Sequence, residues 1–105
     1  MSDGDPPMST SEAVRIRLVL YVGGDTTRSR VAEHNVRAAL ERQGVTDAQF
    51  ERLDVHAAPE RAARDRILLT PTLRLTVRGV SRNLIGNLDN ADQLDAFLFH
   101  AGVDA

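Results

Sequence analysis

Thr70-Pro71-Thr72-Leu73-Arg74-Leu75-Thr76-Val77-Arg78 alternates without error once it is past the proline. Leu73, Leu75 and Val77 fall on one side; Thr72, Arg74, Thr76 and Arg78 fall on the other. That is the period of a strand with one face on a core. Gly79 follows, and Arg78-Gly79 permits a tight turn. Ser81 to Gly86 then returns as a second strand of a hairpin. A helix is expected from Asn90, where Asn90 and Gln93 have the spacing of a capping box. Leu94, Phe97, Leu98 and Ala101 give it a buried stripe, and Gly102 ends it.

Upstream, residues 14–22 alternate at Val14, Ile16 and Leu18 and then run continuously apolar through Leu18-Val19-Leu20-Tyr21-Val22. This suits a central strand covered on both faces. Gly23-Gly24-Asp25 breaks it. From about Ser29 to Gln43 the period becomes helical: Ala32, Val36, Ala39 and Leu40 form one stripe. Glu33 and Arg37 make a favourable pair four residues apart on the other side. Ser29 is placed to cap the start and Gly44 to close the end. Gln49 to Val55 reads as a second strand, and Pro59 opens a short helix running to about Ile67. The order is therefore β-α-β-α-β-β-α, with the first two strands parallel.

The chain has 105 residues, which makes one domain. Apolar residues are 42% and aromatic ones 4%, so the core rests on Leu, Val, Ile and Ala. The net charge of -2 comes with acids and bases interspersed, and no basic stripe points to nucleic acid. Cysteine is absent, which removes disulfides, thiol catalysis, Fe–S clusters and thiolate zinc sites together. No stretch approaches the roughly 18–20 apolar residues of a membrane span, and residues 1–12 lack the pattern of a signal peptide. The reading is a cytoplasmic protein with a disordered tail over residues 1–13 and a domain over 14–102.

The element order is that of the thioredoxin-like α/β fold. In proteins of that kind the loop after the first strand carries C-x-x-C, and a proline opening a later strand lies beside it. Here the corresponding stretch reads Thr26-Thr27-Arg28-Ser29. A hydroxyl nucleophile needs an activating base, and His34 is the only nearby candidate; capping accounts for Ser29 without chemistry. His34, His56 and His100 are far apart in sequence and show no metal-ligand spacing, and His100 suits the end of a helix electrostatically. No phosphate-loop motif occurs. No catalytic, cofactor or metal site is assigned. A generic X-Pro bond is cis in only about 5% of cases; by resemblance to the thioredoxin fold, Pro71 is the candidate for a structural cis-proline.

Three blocks resemble the KaiB family of circadian-clock proteins: Leu20-Tyr21-Val22-Gly23-Gly24-Asp25-Thr26; Asp54-Val55, Pro59 and Ile67-Leu68-Leu69-Thr70-Pro71-Thr72-Leu73; and Leu84-Ile85-Gly86-Asn87-Leu88 followed by Asn90. The resemblance implies a non-enzymatic regulatory protein that docks on KaiC, a RecA-type ATPase ring, and modulates its phosphorylation cycle. It implies KaiA-like or kinase components as further partners, and neither nucleic acid nor membrane. It also implies two folds: the thioredoxin-like order, which binds KaiC, and a ground-state order, β-α-β-β-α-α-β, which packs into homotetramers. Where the family often has a run of prolines, this chain has Arg78-Gly79-Val80. Strand period at 72–78 and helix period at 90–101 agree only with the thioredoxin-like order, so that order and a monomer or weak dimer are expected. By the family's docking surface, Arg61, Arg64, Asp65 and Arg66 are the candidate partner-binding residues. Arg74, Thr76, Arg78 and Arg82 form a second charged patch, read as an ordinary covered or solvated sheet face. The other reading of the chain is a cysteine-free thioredoxin- or glutaredoxin-like ligand-binding domain, or a sensor domain related to those of kinases.

Overall fold

The computed structural model describes residues 16–86 and 88–102, with only the backbone for 99–102. The elements are β1 (Ile16–Val22), α1 (Thr27–Arg42), β2 (Gln49–Asp54), α2 (Pro59–Arg64), β3 (Thr72–Val77), β4 (Val80–Ile85) and α3 (Ala91–Gly102). This is the order expected from the sequence. The four strands form one sheet ordered β2-β1-β3-β4. β1 and β2 are parallel; β1–β3 and β3–β4 are antiparallel. The expected tail, Val14, and the expected contributions of His100 and Ala101 side chains lie outside the described residues.

β1 is buried on both faces, as its apolar run requires. Ile16, Leu18, Leu20 and Val22 pack with Leu73 and Leu75 of β3, against Ala32, Val36 and Ala39 of α1 and Leu94 and Leu98 of α3. Leu18, Leu20 and Leu73 are almost wholly enclosed. Each such leucine contributes on the order of 2 kcal/mol through apolar burial. On the opposite face Val19 and Tyr21 pack with Ala62 of α2, joined by Leu53, Val55 and Ile67.

The hairpin confirms the reading of its turn. Val77 pairs with Val80, leaving Arg78 and Gly79 as a two-residue loop. Both have positive φ, +55° and +79°. That is the conformation of the tight turn whose twist matches flanking antiparallel strands.

Three local expectations need correction. First, α1 starts two residues earlier than Ser29, and its N-cap is Thr26. Thr26 is extended, and its hydroxyl accepts from the Ser29 N–H at 3.1 Å while Ser29 Oγ accepts from the Thr26 N–H at 2.9 Å. The two residues form a reciprocal capping box, in which Ser29 holds the third helical position. Second, α2 stops at Arg64, not near Ile67. Asp65 turns inward, and Arg66 takes a left-handed φ of +59°, which ends the helix. Third, the charged patch on the third strand does not assemble. Arg74 and Thr76 lie on the α2 side of the sheet; Arg78 is in the turn. Arg82 pairs in register with Leu75 and lies over the Phe97 ring, on the opposite face.

Candidate functional site

Two neighbouring regions hold the residues singled out from the sequence. The first is the loop after β1. Gly23, Thr26, Arg28, Ser29, Thr70 and Pro71 line a cleft of about 340 Å³. The Thr70–Pro71 peptide bond is cis. Thr70 approaches Gly23 so closely that a Cβ there would meet its Oγ1 at 2.9 Å, so a larger residue at this junction of β1 with the Pro71 loop would make the Thr70 hydroxyl shift. The hydroxyls at the two thiol-equivalent positions are engaged with the helix end: besides the capping box, Ser29 Oγ donates to the Thr26 carbonyl at 2.8 Å. Ser29 is buried, whereas His34 is exposed on α1. The arrangement is that of a helix start rather than of an activated nucleophile. Among the described residues no cluster of three or more His, Cys, Asp or Glu could hold a metal ion. Replacing Thr26 with Ala should cost about 1 kcal/mol, the usual loss of a capping hydroxyl, read from the urea unfolding midpoint.

The second region is α2 and its C-terminal turn. Pro59 at the first helical turn and Glu60 beside it suit the start. The four candidate partner-binding residues are deployed differently. Arg61 makes two hydrogen bonds to Glu51 of β2, at 3.0 and 3.1 Å. Arg64 points outward, its side chain 69% exposed, with Nε 3.6 Å from Asp65 Oδ1. Arg66 is exposed. Asp65 faces the sheet: its Oδ2 accepts from the Tyr21 hydroxyl and lies 3.6 Å from Arg74 Nε.

This Tyr21–Asp65–Arg74 network joins β1, the end of α2 and β3, and sequence reading did not find it. Tyr21 and Asp65 are 44 positions apart. One signal was available: Tyr21 is the only tyrosine and sits in a buried strand, where its hydroxyl needs a partner. Burial alone would push the Asp65 carboxyl up; the Tyr21 hydrogen bond and the Arg74 and Arg64 charges outweigh it and hold the group below the ordinary carboxylate value. Burial, with the adjoining carboxylate, pushes the Tyr21 phenol above its ordinary value.

With this geometry in view, the relatives decide the family. The KaiB domain family model matches residues 19–99. The chain belongs to the KaiB family. It is 30% identical over 80 residues to the circadian clock protein KaiB3 of Synechocystis sp., covering 76% of this chain and 78% of that protein. It is 34% identical over 77 residues to the circadian clock oscillator protein KaiB of Prochlorococcus marinus, covering 73% and 72%. Solved structures similar to it include thioredoxins. A mutant thioredoxin from Halobacterium salinarum superposes with a TM-score of 0.70 at 20% identity, covering 97% of this chain and 87% of that one. The Fasciola hepatica thioredoxin gives 0.68 at 19%, covering 83% and 81%. At that identity the likeness is one of fold: this KaiB-family chain is thioredoxin-like. Among the described residues no helix is long and apolar enough to cross a membrane.

Proposed function

We propose that this protein is a non-enzymatic, cytoplasmic regulatory module that docks on a KaiC-like ATPase ring and modulates its phosphorylation cycle. Membership of the KaiB family in the thioredoxin-like order is the observation that carries the reading. In that order the α2 turn presents Arg64 and Arg66 to solvent, while Arg61 and Asp65 are held by Glu51 and Tyr21. The contact with the ring is accordingly assigned to Arg64 and Arg66. Arg61 positions α2 against β2, and Asp65 anchors the turn to the sheet.

Size-exclusion mixing with a KaiC-like ATPase, with and without ATP, tests the proposal. Reversing both charges, Arg64→Glu with Arg66→Glu, should weaken binding about 10- to 100-fold if they meet a complementary surface. The fold should survive, since both side chains are exposed. Arg30→Glu with Arg37→Glu, on the outer face of α1, is the control and should leave binding within about twofold. The docking surface is wrong if the control pair weakens binding and the Arg64/Arg66 pair does not. No binding of the unmutated protein at tens of micromolar would overturn the function itself.

A further inference from the structure

The turn that ends α2 holds one strained residue in place. Arg66 stands at a φ of +59°, in the left-handed region where glycine is the usual occupant of the position after a helix. Three features keep it there. The Arg66 N–H donates to the Ala63 carbonyl at 3.1 Å and the Ile67 N–H to the Ala62 carbonyl at 2.9 Å, the paired bonds of a Schellman motif. Ile67 packs in the small core with Ala62 and Tyr21, which supplies the apolar contact of that motif. Asp65, just before Arg66, is tied to the sheet: its carboxylate accepts from the Tyr21 hydroxyl of β1 and lies 3.6 Å from Arg74 Nε of β3. Arg74 is itself held from β4, where its Nη1 donates to Asn83 Oδ1 at 3.2 Å.

The Schellman bonds use only the backbone of residue 66, so a glycine would make them with less strain. An arginine there costs the fold stability, and a strained backbone position of this kind points to a role outside stability. Arg64 and Arg66 flank Asp65 in sequence and are both exposed. The anchor at Asp65 therefore fixes, from the sheet side, the short stretch that carries the two side chains assigned to docking. A side chain whose backbone is set before contact loses less freedom on binding. Tyr21 is wholly enclosed, so any effect it has on docking passes through Asp65 and the turn.

We propose that Tyr21 and, behind it, Arg74 are positioning residues for docking: through Asp65 they hold the α2 turn in its binding form, with Arg66 kept in a strained conformation for contact and not for stability. The inference rests on the docking reading given above and deepens it, because it assigns a part in binding to a side chain that no partner can touch.

Two measurements on the full chain test it. Amide exchange of the free protein reads the turn, and titration into a KaiC-like ATPase with ATP reads docking. Global unfolding speeds every protected amide by the same factor, which Leu18 and Leu20 of β1 report. In Tyr21→Phe the Arg66 and Ile67 amides should exchange at least about tenfold faster than that factor alone explains. Docking should weaken about three- to tenfold, counted on folded protein. Thr26→Ala, which loosens the start of α1 instead, is the control and should leave both the relative exchange of the turn and the affinity within about twofold. Arg66→Gly should move stability and docking in opposite directions: the urea midpoint rises as the strain is relieved, while docking weakens about three- to tenfold. A residue with a purely structural role would move both the same way. If the natural chain docks and the Arg64/Arg66 reversal weakens it, yet Tyr21→Phe leaves the affinity or the relative exchange of the turn unchanged, the inference fails and the docking reading stands. A lower midpoint in Arg66→Gly, or unchanged docking by it, would also overturn the inference. No docking by the natural chain would overturn both, whatever the exchange data show of the turn.

Discussion

Replacing Arg78 and Gly79 together with proline is expected to remove the hairpin. Proline fixes φ near -65°, whereas these residues stand at +55° and +79°. Neither ring fits the turn that joins Val77 to Val80. The loss should be at least about 3 kcal/mol, the scale of a proline placed where the backbone cannot accept it. It should appear as a large fall in the urea midpoint and as loss of extended chemical shifts at 72–77 and 80–85. The double substitution also probes the second fold that KaiB-family resemblance implies. If the tight turn is what favours the thioredoxin-like order, the variant should gain helical shifts at 72–77 and extended shifts at 91–98, and light scattering should report a larger assembly. Retention of the hairpin with an unchanged midpoint would mean that the turn does not govern the choice of order.

The second large effect is expected at the Tyr21–Asp65–Arg74 network. Tyr21→Phe removes the hydroxyl and leaves Asp65 facing the sheet with Arg74 and Arg64 as its remaining partners. Hydrogen bonds to a charged group are worth about 1.5–3 kcal/mol, and a loss of that order is expected at neutral pH. Asp65→Ala should cost at least as much, because the enclosed Tyr21 hydroxyl then loses its acceptor. The dependence on pH has a definite sign. The folded Asp65 carboxyl titrates below its unfolded value, so its contribution is complete above about pH 4 and is lost as the pH falls through the folded value. The folded Tyr21 phenol titrates above its unfolded value, so the neutral phenol's contribution is complete below about pH 10 and is lost as the pH rises past it. The difference in stability between the natural chain and Tyr21→Phe should therefore be a plateau from about pH 5 to 9 that shrinks at acid pH. A difference as large at pH 2 as at pH 7 would show that lost packing, and not the carboxylate, explains the cost.

The local grammar of this chain was legible in its sequence. Strict alternation at 72–77 set β3, and the apolar run at 18–22 made β1 a strand covered on both faces. Spacings of three and four at Ala32, Val36 and Ala39, and at Leu94 and Leu98, set α1 and α3. Arg78-Gly79 announced the turn. Each of these is decided within a few residues, by backbone sterics or by the period at which side chains return to one face. Helix ends were read less well. Two hydroxyls three residues apart could each have capped α1; Thr26 does so because Ser29 returns the bond to the Thr26 N–H.

What only the tertiary structure decided depends on contacts between distant positions. Sequence placed Arg61, Arg64, Asp65 and Arg66 together as one basic stretch. Packing separated them, because Glu51 lies on the neighbouring strand within reach of Arg61, and the Tyr21 hydroxyl meets Asp65 from β1. A buried hydroxyl must find an acceptor, but the period of a strand says only that Tyr21 points inward, not what awaits it there. The sheet order β2-β1-β3-β4 brought those groups together across the fold.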